Sequence, residues 1–65
     1  MALIITDKDG VLGRIWQDGD QLTGDGPIAR KLASQYQARY GDQAYTELAQ
    51  LDNGYVRARE SPQPD

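Results

Sequence analysis

The side chains able to do chemistry in this chain of 65 residues are carboxylates, guanidinium groups and aromatic rings. There is no His and no Cys. The serines at positions 34 and 61 fall within an expected helix and in the polar ending, so no base–nucleophile pair is at hand. The acids gather in Asp-Gly steps: Asp7 and Asp9 before Gly10, Asp18 and Asp20 around Gly19, and Asp25 before Gly26. Oxygen ligands of this kind can hold calcium. An EF-hand loop, however, needs them at alternating positions with Gly sixth and Glu twelfth, and no register here supplies that set. The Gly-rich run 19–26 leads into a helix start and could cradle an anion. It lacks the Lys-Ser/Thr of a P-loop and the glycine spacing of a dinucleotide fold, and Asp25 repels phosphate. Turn formation is the expected work of these Asp-Gly pairs, and no cofactor or metal site is expected.

The aromatic and cationic residues point elsewhere. Four Tyr and one Trp in a chain without Phe are rings with a polar tip, which suit half-buried edges and interfaces, and Arg shares that enrichment. Trp16, Tyr36, Tyr40, Tyr55, Arg57 and Arg59 form the candidate interaction set.

These residues need elements to hold them. Residues 2–6 are short, apolar and β-branched, and after Asp7-Lys8-Asp9-Gly10 a second apolar run covers 11–16, so the two form a hairpin. In the second run Val11, Gly13 and Ile15 share one face and Leu12, Arg14 and Trp16 the other. Residues 17–26 read as a loop with at most a brief extended piece at 21–23. Pro27 sits at the first position of a helix over 27–40, with Ile28, Leu32, Tyr36 and Tyr40 on one ridge, Ala29 and Ala33 widening it, and Gly41 as its stop. Asp42 caps a second helix over 43–51, and Asp52-Asn53-Gly54 ends it. Residues 55–59 alternate as a third strand. Residues 60–65, with two Pro, form a disordered tail.

The expected fold is therefore α+β: a two-layer ββααβ domain over 1–59, with a small, largely antiparallel three-stranded sheet and two helices on one face. Twelve Leu, Ile and Val in 65 residues make a thin core, and a chain this short buries only roughly 60% of its surface. Without disulfides to help, self-association is expected, with an open sheet edge as one pairing surface. No apolar run reaches membrane-spanning length, and the first residues lack the basic start of a signal peptide, so a cytoplasmic location without membrane contact is expected.

Residues 4–12, an apolar strand followed by Asp7-Lys8-Asp9-Gly10-Val11-Leu12, resemble the first motif of haloacid-dehalogenase-type phosphatases. The resemblance implies Asp7 as nucleophile, Asp9 as general acid and magnesium beside them. The chain has no room for that family's sheet or its later Ser/Thr, Lys and acidic motifs, and two carboxylates alone do not carry phosphoryl transfer. The hairpin turn is the reading kept. In size and composition the whole chain, with its LDNGYVRARE ending, is similar to small accessory proteins of actinobacteria and their phages. That likeness implies binding to a host or defence protein.

The expected function is thus a non-enzymatic protein-interaction module, a homo-oligomer with an unidentified protein partner. A second reading is an oligomeric sponge that holds a small anionic ligand such as a nucleotide in Arg groups. A third is a winged helix-turn-helix-like DNA binder. The acidic balance argues against nucleic acid, because the second helix offers Gln43, Thr46 and Gln50 beside Glu47 and no cation.

Overall fold

The computed structural model describes residues 1–61. Its elements are β1 (Ala2–Asp7), β2 (Gly10–Asp18), β3 (Gln21–Asp25), α1 (Pro27–Tyr40), a 3-10 turn (Gly41–Gln43), α2 (Ala44–Leu48) and β4 (Arg57–Ser61). The sheet is antiparallel throughout, in the order β3-β2-β1-β4. The class is α+β as expected, but the sheet has four strands rather than three and one substantial helix rather than two. Among the described residues no helix is long and apolar enough to cross a membrane.

The β1–β2 turn is closed by its own first residue. The Asp7 carboxylate accepts hydrogen bonds from the backbone N–H of Asp9 (2.8 Å) and of Gly10 (3.1 Å), the Asx-turn chemistry that makes Asp common here. Past the turn the register slips. Thr6 faces Val11, while Ile5 faces Gly13, leaving Leu12 as an extra residue in a bulge. Leu12 consequently turns toward the helices and packs against the core, whereas Val11 stays 66% exposed on the other side. This corrects the expectation that Leu12 shares a face with Arg14 and Trp16, because a bulge changes the alternation on one side of itself.

The fourth strand, β3, occupies the stretch expected to be a loop. Gly19 and Asp20 form a two-residue turn between the paired Asp18 and Gln21, with Gly19 at φ 62° as such tight hairpins require. The core-side residues of β3 are Leu22 and Gly24, both buried. Gly24 has no side chain because α1 lies there: a Cβ on it would stand 3.0 Å from the Ala29 Cβ. On β2, a Cβ built on Gly13 would be closer still, at 2.8 Å from the same atom. The strand therefore reads as a loop for the very reason that lets a helix sit on it. The same contact recentres α1. Its buried residues are Ala29 and Ala33, flanked by half-buried Leu32, Tyr36 and Tyr40, while Ile28 is 54% exposed. Small side chains allow close approach to the glycines; the large ones that were expected to form the ridge sit to the sides.

At its end α1 stops at Gly41, whose positive φ of 58° glycine adopts without the steric cost a side chain would bring. The second helix is five residues, not nine, because the chain enters it through a 3-10 turn and leaves it by i to i+3 bonds, Gln50 N–H to Glu47 O and Leu51 N–H to Leu48 O. It still supplies Ala44 and Leu48 to the core, beside Leu3, Ile5, Ile15, Leu22, Ala29 and Ala33. A tight loop follows, in which the Asn53 side chain accepts from the N–H groups of Tyr55 and Val56, both at 2.9 Å. β4 begins two residues later than the alternation suggests and continues through Glu60 and Ser61, which pair with Leu3 and Ala2. The remainder of the expected tail, 62–65, lies outside the described residues.

Candidate functional site

Helices cover one side of the sheet only. Core-side residues are Leu3 and Ile5 on β1, Gly13 and Ile15 on β2, Leu22 and Gly24 on β3, and Ala58 on β4. The alternate positions form the other side, where no element of the described chain lies. Cross-strand pairing arranges them in rows. One row runs Asp25, Arg14, Ile4, Arg59 from β3 to β4. In the next row Trp16 faces Thr23, and Ala2 faces Ser61; the β1–β2 register carried one residue on sets Trp16 beside Ala2. Ala2 is only 4% exposed although it lies outside the helix-side core, in keeping with a large indole next to it. A third row holds Val11, Thr6 and Arg57.

The charges on this face are unevenly matched. Arg14 and Asp25 are locked together: the carboxylate accepts from the Arg14 backbone N–H at 2.7 Å and Nε at 3.0 Å, and Nη2 lies 2.9 Å away. These bonds, the backbone one foremost, hold the Asp25 carboxyl below its ordinary value because they favour the charged form. Arg57 reaches Asp52 only loosely, at 3.7 Å. Arg59 is exposed and has no hydrogen bond or ion pair with another described residue. Among the described residues, the cations Arg14, Arg57 and Arg59 share the face with two carboxylates, Asp18 and Asp25.

The six expected interaction residues fall in three places. Trp16, Arg57 and Arg59 lie on the open face. Tyr36 and Tyr40 sit at the end of α1, half-buried against the core, their ring centroids 5.4 Å apart and the Arg39 guanidinium 5.5 Å from the Tyr40 ring. Tyr55 is 83% exposed in the loop before β4 and lines a shallow cavity of 220 Å³ with Asp7, Lys8, Asp9, Gly54 and Val56. Sequence reasoning missed Ile4, Arg14 and Asp25 as companions of Trp16 and Arg59. The alternation of Arg14 with Trp16 was readable, but their neighbours across the sheet were not.

The motifs weighed for other chemistry are placed as well. Oδ1 of Asp7, the residue the phosphatase resemblance would make a nucleophile, accepts two turn hydrogen bonds. The run 19–26, expected as a loop, is a hairpin turn and a strand. Among the described residues no group of three or more acids converges as metal ligands would.

Both sheet edges are partly closed. On β3 the Leu22 N–H donates to the Gln37 side chain of α1 at 2.7 Å. On β4 the Ala58 N–H donates to Leu51 O at 2.9 Å, and Arg57 bridges to Asp52. Covered edges resist strand pairing, so the open face, not an edge, is the larger free surface of the sheet.

No protein-family model, curated protein or solved structure matches this chain.

Proposed function

We propose that this chain is a non-enzymatic protein-interaction module that docks its partner on the open face of its sheet. The observation that carries the reading is the row Asp25, Arg14, Ile4, Arg59 with Trp16 beside it, on a side that no described element covers. Trp and Arg around a small apolar centre are the residues that contribute most at protein interfaces. The likeness to actinobacterial and phage accessory proteins extends the proposal to a host or defence protein as a partner.

A second reading, a small-anion sponge, is favoured by Arg59 and Arg57, two positions apart on one face and without a tight carboxylate partner. A nucleotide that bound there would raise the thermal midpoint. The DNA-binding reading has less behind it, since α2 has five residues, too few for a recognition helix with contacts along a groove.

Native mass spectrometry tests the first reading. The purified chain is expected to retain an associated species, and the Trp16→Ala/Arg59→Ala variant to lose it while circular dichroism shows the same fold. Association that survives the double substitution places the contact elsewhere and ends the proposal.

A further inference from the structure

We infer that the open sheet face is occupied by a second copy of this chain, packed face to face about a two-fold axis that runs along the strands between β1 and β2. The inference rests on the docking reading above and names the docked partner.

The argument is the order of residues within the rows. Turning the sheet over about such an axis lays β3 of one copy against β4 of the other, and β2 against β1. In the first row, Asp25 then faces the partner's Arg59 at one end, Arg59 faces the partner's Asp25 at the other, and Arg14 and Ile4 meet in the middle. In the second row Thr23 meets Ser61, with Trp16 and the already buried Ala2 between them. In the third, Val11 meets Thr6. Every contact occurs twice, as an isologous interface demands. Sheets packed this way lie about 10 Å apart with strands crossing near −30°, which the side chains of these rows can span.

Charge selects this occupant over others. A nucleic acid or a uniformly acidic peptide on the row would place negative charge over Asp25 as well as over Arg59. The partner that fits offers an acid above β4 and a cation above β3, which is this face turned over. Arg59 has no partner among the described residues, while Asp25 is held ionised by Arg14 and retains acceptor capacity. Four strands at about 4.8 Å and about five residues at about 3.4 Å present roughly 300 Å² of projected face per copy. Two such faces bury about 600 Å² of projected area, below the roughly 1,000 Å² that a stable complex clears, so the dimer is weak and concentration-dependent.

Sedimentation velocity across concentrations up to millimolar tests this on the full chain and three variants. Arg59→Asp sets acid against acid, Asp25→Arg sets cation against cation, and Ile4→Lys puts a charge at the apolar centre. The wild type is expected to dimerise, and each variant to weaken the dimer by about tenfold or more in Kd. Mixing Arg59→Asp with Asp25→Arg restores both pairs and should recover dimer that neither forms alone. Since Asp25 also accepts the Arg14 N–H, circular dichroism checks that variant's fold. Arg59→Asp and Ile4→Lys chains that are folded and still dimerise like the wild type overturn the proposal without it. A wild type that stays monomeric, but in native mass spectrometry keeps a different molecule that Arg59→Asp loses, overturns the dimer and leaves the docking reading standing. A monomer that binds nothing on this face overturns both.

Discussion

The Leu22 backbone N–H donates to the Gln37 side-chain oxygen at 2.7 Å, a bond that ties the long helix to the outermost strand and closes that strand's free edge. Gln37 also donates to Gly41 O at 3.0 Å, so one side chain links the edge strand, the helix and its cap. Gln37→Ala leaves the Leu22 amide without its acceptor in a partly buried place. The expected cost is about 1–2 kcal/mol, read from urea unfolding. An unchanged midpoint means that water replaces the amide without loss.

Gly13 and Ala29 set how near α1 lies to the sheet. A Cβ at Gly13 meets Asp25 O at 2.6 Å and the Ala29 Cβ at 2.8 Å, and the residue's φ of 153° already disfavours a side chain. Overpacking and backbone strain together put the cost of Gly13→Ala at about 3 kcal/mol, a large share of the stability of so small a domain. Denaturant titration should show a chain largely unfolded or close to it; a variant as stable as wild type means that the helix sits farther from the sheet.

Leu48 is fully buried, while Ile28 is 54% exposed. Leu48→Ala is expected to cost about 3 kcal/mol, although its helix is only five residues long. Ile28→Ala, on the longer helix, is expected to cost about 1 kcal/mol or less. Thermal melts of the two variants rank them, and the opposite order contradicts the placement of α2 against the core.

Asp25 determines an acid-side dependence of stability. Its folded-state value lies below the ordinary 3.8, so its contribution is complete above the unfolded value and is lost as pH falls through the folded one. With no His in the chain, no ordinary side chain titrates between about pH 5 and pH 8. The difference in urea midpoint between wild type and Asp25→Asn should be level across that range and narrow below about pH 4. A difference that persists at lower pH shows that the ionised carboxylate is not the source.

Much of the local structure is readable from residue types. The turn at Asp7 to Gly10 follows from a carboxylate that bonds its own backbone and a Gly that accepts positive φ. The start of α1 follows from Pro27, its stop from Gly41, and the alternation of Arg57, Ala58 and Arg59 from strand geometry. β3 was hidden because Gly24 is a strand-breaking signal unless something packs on it. The bulge was hidden because Leu12 is as apolar as a paired residue would be, and only the register with Ile5 and Thr6 shows that it is extra.

The candidate site divides in the same way. Trp16, Arg57 and Arg59 stand out by type, and the sequence by itself determined that they lie at alternating strand positions in a small α+β chain without His or Cys. Only the tertiary structure decided that these strands place them on one uncovered face, that Tyr36 and Tyr40 pack elsewhere, and that Ile4, Arg14 and Asp25 complete the row. The reason is physical: alternation along a strand is local, set by backbone geometry. Which residues face each other across a sheet depends on strand order and register, and those are set by long-range packing of Ala29 and Ala33 against Gly13 and Gly24 together with a one-residue bulge.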